Sequence, residues 1–562
     1  MAIKDREQKQ KTDIKLLQLL REQEEQKAKN LAAKLGFPYF DLRIATVDDE
    51  ALLISTEPES REAKAAIIQK KQNELFMVVI DPKLKQTTAF IKHFEELGYK
   101  TNILIGSKSG LEKALARYET LKPKKAEISK EVEMNTEEFA AIQKEIKDIR
   151  DLKEKLAQPN LSTTQLLNII MASALKLEAS DIHFEAQGDQ TTRLRFRLDG
   201  ILQDAADILS SVYQLLLSRI KILSELKLNV HNAPQDGRFS FISATGPEGS
   251  KQIENRVSII PADYGENIVI RILDPKTINL NLSDLGIQDF DYKIIEKELQ
   301  KPNGMIVTTG PTGSGKTTLL YACLKQVNSP ESKIITLENP IEYHLEGIEQ
   351  TQVDSEEGYT FAAGLRSILR QDPDIILVGE IRDNETAETA INAALTGHLV
   401  FSTLHTNDAA GAVPRLVDMK VNPTLIPPAL NLVIAQRLVR KVCTRCSKDI
   451  KPDKETMEKI KNGLENLPSR AGKPKLDNIF IKQISKEGCA YCNFTGYKGR
   501  IGVFELFIID DAMEKIILKT PSIAEIHETA TKAGMVTMKQ DGLLKLLNGI
   551  TTIEEVERIL GV

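Results

Sequence analysis

"GMIVTTGPTGSGKTTLLYACL", residues 304–324, decides the fold. Met305 to Thr309 is a strand-like run, Gly310 to Thr317 fits G-x-x-x-x-G-K-[ST], and TLLYACL continues as a helix. Strand, glycine loop and helix in that order make a phosphate cradle. Glycines let successive backbone N–H groups turn inward toward phosphate oxygens, and the helix adds the partial positive charge of its N-terminus. The pattern assigns Gly310, Pro311, Thr312, Gly313, Ser314, Gly315, Lys316, Thr317 and Thr318 to a bound ATP. Lys316 would reach the β- and γ-phosphates, and the Thr317 hydroxyl would ligate Mg²⁺. A glycine-rich loop can match by chance, but the flanking strand and helix argue against that here.

A second short strand, in "DPDIILVGEIRD" (residues 372–383), is apolar from Ile375 to Val378 and is followed by Gly379 and Glu380. A carboxylate at the tip of a buried strand is costly without a partner. In a parallel sheet the ligand sits at the carboxyl ends of the strands, so Glu380 is expected beside the metal and the attacking water. Asp374 precedes the same strand and belongs at its far end.

Outward from these motifs, strands alternate with helices from about residue 276 to Val442, as in a parallel α/β sheet. Before it, alternation in "TTRLRFRLDG" and strand-like "RFSFIS", "ENRVSII" and "NIVIRIL" predict an antiparallel sheet with one or two helices over 159–275. Residues 122–158 are dense in Lys and Glu and are expected to be a solvated, partly helical linker. Residues 1–121 read as an N-terminal α/β domain, with a helix ending at Gly36 and strands in "LFMVVIDP" and "TNILIG". After Val442 come a cysteine-bearing insert, about 440–500, and a helical tail.

The 562-residue chain is too long for one core, and its net charge of −5 gives no global attraction to nucleic acid or anionic lipid. The polar start "MAIKDREQKQK" is not a secretory signal and no apolar run is long enough for a span, so a cytoplasmic protein is expected. Four of the five cysteines form two C-x-x-C pairs, Cys443/Cys446 and Cys489/Cys492. Four thiolates on two chelating turns suit a closed, structural, tetrahedral Zn²⁺ site. Cys323, in the helix after the phosphate loop, reads as a small core residue.

"ITLENPIEYHLEGIEQTQV", "LRSILRQDPDIILVGEIRDNETAETAINAALTGHLVFSTLHTNDA" and "QRLVRKVC" resemble the secretion ATPase family of type II secretion and type IV pilus assembly. "ASDIHFE", "RFRLDG" and "APQDGRFSF" resemble it too, so the likeness runs from about residue 160 to the C-terminus. The resemblance implies a P-loop, RecA-like domain preceded by a small PAS-like α+β domain, with an N-terminal domain and a tetracysteine zinc insert. It places an acidic box on Glu338-Asn339-Pro340-Ile341-Glu342, with an amide where the family has a second carboxylate. Glu338 and Glu342 remain to hold water or Mg²⁺. A histidine box falls on His398 and His405, of which His405 follows a strand and is the better γ-phosphate sensor. Isolated histidines are more often core residues than catalytic ones.

Phosphoryl transfer spreads charge over the γ-oxygens, and arginines stabilise it. The resemblance points to Arg256 and Arg271 in the small domain, with Arg238 a weaker third. Without it, a strand arginine reads as a solvent-facing ion pair. Arg366, Arg370 and Arg382 are expected to serve subunit contacts or charge neutralisation.

The function so implied is a cytoplasmic homohexameric ATPase that powers pilin or pseudopilin assembly. It would be peripheral to the membrane through an inner-membrane platform protein, with ATP, Mg²⁺ and Zn²⁺ bound. A nucleic-acid motor on the same core is the alternative. The chain's charge and its lack of a basic, aromatic-laced groove count against direct nucleic-acid binding. A nucleotide-binding regulator that never turns over is disfavoured by the intact Lys316, Thr317 and Glu380 set. The family's N-terminal region sometimes binds a cyclic dinucleotide through paired "RLG" and "LL" segments. Residues 1–36 show no such pattern, and no such binding is expected.

Overall fold

The computed structural model describes residues 21–561, apart from 44, 46, 53, 72, 119–130, 134–135, 159–160, 189, 244–250, 275–279 and 356. Part of the stretch read for cyclic-dinucleotide segments therefore lies outside the described residues. Two units divide the chain, 1–129 and 130–562.

In the first unit, residues 21–35 are helical and stop at Gly36, whose φ of 74° is left-handed. A three-stranded sheet follows: β1 (Ala65–Lys71), β2 (Glu74–Val79) and β3 (Lys100–Ile105). β1 runs antiparallel to β2 and β3 parallel to it. The helix Lys85–Glu96 crosses from β2 to β3 and buries Phe90, Ile91 and Phe94 in one cluster with Leu75, Met77 and Val79.

The second unit contains two seven-stranded sheets. The first is built from β4 (Glu131–Glu133), β5 (Ala179–Gln187), β6 (Thr191–Leu198), β7 (Ile201–Leu209), β8 (Gln235–Ser243), β9 (Lys251–Ala262) and β10 (Gly265–Leu273). Its order is β4-β8-β9-β10-β5-β6-β7, antiparallel except for the β4–β8 pair. The helix Thr163–Leu177, begun by a Ser162/Gln165 capping box, and the helix Ser210–Leu223 share its core.

The expected linker is shorter than 122–158. Helices Thr136–Glu145 and Ile149–Leu156 bury Phe139, Ile142, Ile146 and Leu152 in the same core, and β4 adds an edge strand. Phe139, Ile142 and Ile146 are three and four residues apart, an apolar stripe among the charges.

The second sheet comprises β11 (Gly304–Thr309), β12 (Ile334–Glu338), β13 (Glu349–Gln352), β14 (Ile375–Val378), β15 (Leu399–Leu404), β16 (Leu430–Val442) and β19 (Tyr497–Ile508), in the order β13-β12-β14-β15-β11-β16-β19. All pairs are parallel except β16–β19. β11, β14 and β15 are buried along their whole length, so apolar residues stand side by side in them (305–307, 375–378 and 399–401) instead of alternating with exposed ones. Between β16 and β19 lies the insert, with its own two-stranded sheet of β17 (Lys448–Ile450) and β18 (Ile481–Gln483). The expected helical tail begins later than residue 500, because Tyr497–Ile508 returns as the edge strand β19. Helices follow from Asp511. Among the described residues, no helix is long and apolar enough to cross a membrane.

Candidate functional site

Register brings the motifs together. Thr309 of β11 is level with Leu404 of β15, and Val378 of β14 is level with Leu337 of β12 and Ser402 of β15. The carboxyl ends of four strands therefore deliver the phosphate loop (310–315), the acidic box (338–342), Glu380 and His405 to one edge. β11 and β14 are separated by β15 alone. Two strand spacings leave about 10 Å between the phosphate loop and the strand bearing Glu380.

The loop needs its glycines. Gly310 has a φ of 143° and Gly315 one of 90°, and a Cβ at Gly310 would lie 2.5 Å from the Gln436 carbonyl. Helix Lys316–Val327 starts directly after Gly315. Lys316 Nζ donates to the carbonyls of Gly310 (2.7 Å) and Pro311 (3.2 Å), curling the side chain over its own loop. Burial lowers its basicity and the Glu380 charge opposes that. Ser314 Oγ is buried with no hydrogen-bond partner among the described residues, a hydroxyl suited to a phosphate oxygen. Pro311, Thr312 and Gly313 form the exposed tip, while Thr317 and Thr318 lie on the first helical turn.

Glu380 faces Arg382 Nε at 2.6 Å and His405 Nε2 at 3.5 Å. His405 is held below its ordinary basicity, chiefly by burial and then by the Lys316 charge. A side chain at Gly379 would crowd the Leu337 carbonyl at 3.2 Å, so the turn presenting Glu380 passes tightly over the acidic-box strand. The loop bearing His405 is pinned to β11: Thr406 N donates to Thr309 Oγ1 at 2.9 Å, and the two hydroxyls are 2.6 Å apart.

Both acidic-box glutamates are already engaged. Glu338 is buried and accepts from Tyr321 Oη, from Thr336 Oγ1 at 2.6 Å and from Gln350 Nε2 at 3.2 Å. Glu342 pairs with Arg256 Nη1 at 3.0 Å, and Arg256 Nη2 donates to the Ile341 carbonyl at 2.7 Å. Arg256 thus spans from the first sheet to the second.

Arg256 has company. Arg238, Arg256 and Arg271 are directly opposite one another on β8, β9 and β10, and Arg271 is opposite Asp181, itself opposite Arg197 on β6. Opposed residues share a face, so four arginines and one aspartate cross five strands in a row. Asp181 takes Arg271 Nε at 3.0 Å and Arg197 Nε at 3.1 Å. Of the row, Arg256 makes the contact with the acidic box.

His398 does not join the site. It precedes β15, its carbonyl accepts from Gly304 N at the start of β11, and its Nδ1 lies 3.0 Å from the Ala393 carbonyl. A six-residue strand separates it from His405, roughly 20 Å at strand rise. Asp374 likewise sits at the amino end, accepting from Lys333 N at 2.7 Å. Arg366 pairs with Glu385, and Arg370 donates to the Arg366 carbonyl at 2.9 Å. Cys323 is a buried core residue, its thiol pushed up to about 12 by burial. Two site residues escaped sequence reasoning: Tyr321, which looks like one more apolar helix position, and Gln436, which packs against Gly310 and Gly315 from β16.

The four cysteines converge as their spacing implies. Their Sγ atoms lie within 4.8 Å of one another, with Cys443–Cys489 at 3.7 Å and Cys446–Cys492 at 3.8 Å. A tetrahedron of ~2.3 Å Zn–S bonds has edges of about 3.8 Å. The donor set fits zinc. Beyond these cysteines, the insert and the start of β19 touch the helices and a turn around the first sheet: Arg150 of the helix Ile149–Leu156 stacks on the Phe494 ring at 3.5 Å, Lys498 pairs with Glu178 at 2.7 Å, and Gly499 N donates to Asp199, in the turn after β6, at 3.0 Å.

The model of the family described as "Type II/IV secretion system protein" matches residues 157–558. A type II secretion system protein E from Pseudomonas aeruginosa is 42% identical over 422 residues, covering 75% of this chain and 80% of the relative. The type IV pilus assembly ATPase PilB of Myxococcus xanthus is 34% identical over 531 residues, covering 94% and 89%. The X-ray structure of the Legionella pneumophila ATPase DotB superposes with a TM-score of 0.51 at 21% identity, over 72% of this chain and 97% of that one, a likeness of fold.

Proposed function

Because this chain belongs to the type II/IV secretion system protein family, we propose that it is an ATP-hydrolysing motor for pilin or pseudopilin assembly. We propose further that it works as a homohexamer at an inner-membrane platform protein, on the cytoplasmic side. The observation that carries the reading is the meeting of Lys316, Glu380 and His405 at one sheet edge, with Arg256 reaching the same edge from the other sheet.

The roles follow from position. The backbone N–H groups that the phosphate loop offers beyond Pro311 and the Lys316 side chain bind the triphosphate, Lys316 exchanging its two carbonyl partners for phosphate oxygens. Glu380 accepts a hydrogen bond from the attacking water and orients it toward the γ-phosphorus. His405, held below its ordinary basicity, turns Nε2 toward the Glu380 carboxylate, which accepts from it, and lies beside the γ-phosphate. Arg256 counters the charge gathered on the γ-oxygens in the transition state, and to do so it leaves Glu342. Thr317 would hold Mg²⁺, which when bound neutralises phosphate charge. The four cysteines would hold zinc in a closed shell, a structural role.

Because Arg256 joins the two sheets, its exchange between Glu342 and phosphate converts nucleotide state into movement of one sheet against the other. That movement is what a platform protein would receive. The direct test is ATP turnover by the purified full chain, with and without added DNA. Magnesium-dependent phosphate release that DNA does not stimulate supports the reading. No turnover overturns it, and DNA stimulation would move the assignment to a nucleic-acid motor.

A further inference from the structure

We propose that Tyr321 is a positioning residue for ATP turnover, its hydroxyl holding Glu338 and the acidic-box loop against the phosphate-loop helix; this rests on the ATPase reading above. Tyr321 lies four residues after Thr317, one turn further along the same helix face. It is 2% exposed and donates to a Glu338 carboxylate that is itself 3% exposed. A buried carboxylate requires donors, and Glu338 has three, from the helix (Tyr321), its own strand (Thr336) and β13 (Gln350). Burial and the Glu338 charge hold the phenol far above its ordinary value, so it acts as a donor.

The same tyrosine grips the loop beyond. Its ring meets Tyr343 edge-on at 4.6 Å between centroids. Gln350 Nε2 donates to the Tyr343 carbonyl at 3.0 Å, and its Oε1 accepts from Leu345 N at 2.7 Å. The other part of that loop carries Ile341 and Glu342, where Arg256 docks. Contacts therefore run without a gap from Arg256, through the acidic box, to the helix that bears Lys316 and Thr317. Glu338 is the joint in that path.

Phenylalanine separates packing from positioning. Tyr321→Phe keeps the ring and its contact with Tyr343 but removes the donor to Glu338. In the full chain, kcat should fall about tenfold, the scale of a lost hydrogen bond to a charged group. KM for ATP should stay within about twofold, and the melting temperature should fall by no more than several degrees, the cost of about 1–3 kcal/mol for one donor lost from a buried carboxylate. In a Glu338→Gln background the same change should have no further effect on kcat. Thr336→Val, which removes a second donor to the same carboxylate, carries the same expectation should the phenylalanine variant fold poorly. A wild-type kcat in Tyr321→Phe, or losses that multiply with Glu338→Gln, would overturn the inference while wild-type turnover keeps the ATPase reading standing. Absence of turnover by the wild type would overturn both.

Discussion

Glu342→Gln should tighten ATP binding. The Arg256 guanidinium is divided between the Glu342 carboxylate at 3.0 Å and the Ile341 carbonyl at 2.7 Å, and it must leave the carboxylate to meet a γ-phosphate. The side chains are 25% and 31% exposed, so solvent screens the pair. Its worth is therefore about 1 kcal/mol, the upper end for exposed pairs, rather than the ~3–5 kcal/mol lost on breaking a buried one. Glutamine keeps the shape and removes the charge. Returning about 1 kcal/mol to binding lowers Kd about fivefold. Titration with a fluorescent, non-hydrolysable ATP analogue reads this directly, and the gain should shrink as salt rises. Arg256→Ala is the counterpart: weaker binding and turnover reduced a hundredfold or more, by ~3 kcal/mol of lost transition-state stabilisation. Unchanged or weaker binding in Glu342→Gln would refute competition for Arg256 and return Glu342 to the metal.

Lys316→Ala should abolish turnover and weaken nucleotide binding, whereas Glu380→Gln should bind ATP and stall, checked by equilibrium binding beside phosphate release. One zinc per chain is expected by elemental analysis, and a chelator should expose residues 443–496 and the Arg150 segment to hydrogen exchange before the phosphate loop. His405 is held below its ordinary basicity by burial and by Lys316. Its unfolded form therefore takes a proton first as pH falls, so its contribution to stability is present above about pH 6.5 and is lost below it. His405→Gln should flatten the fall in urea midpoint between about pH 7 and 5 that this site causes.

What was legible in the chain followed from how locally it is encoded. The phosphate loop and Glu380 each sit in a contiguous stretch whose strand or helix is set by its own residues. C-x-x-C pairs carry their geometry in two-residue turns. His398 misled because histidine spacing says nothing about which end of β15 each one occupies, and parallel register settles that. The charged segment 130–156 hid an apolar stripe because one buried residue per turn suffices for a helix lying on a core. β7 went unread since a register shift between Leu194 and Arg195 of its partner and adjacent buried Ala205 and Ala206 break its alternation. Tyr321 and Gln436 act through partners far away in sequence, at Glu338 and at the glycines of the phosphate loop. The resemblance points to Arg256 and Arg271 alike, and the contact with Glu342 is what separates Arg256 from its neighbour.

The strands β16 and β19 lie antiparallel, and their last paired residues are Val442 and Tyr497. Everything between, the four clustered cysteines included, hangs from two chain ends that the sheet already holds side by side. Topologically the insert is an oversized hairpin turn, and lengthening such a loop costs only about 0.6 kcal/mol per doubling in closure entropy. A shorter turn would close the same pair of strands without shifting the register of either. The sheet edge is thus closed at Val442 and Tyr497 whatever the length of the turn between them, even though β16 itself borders the strand that leads into the phosphate loop.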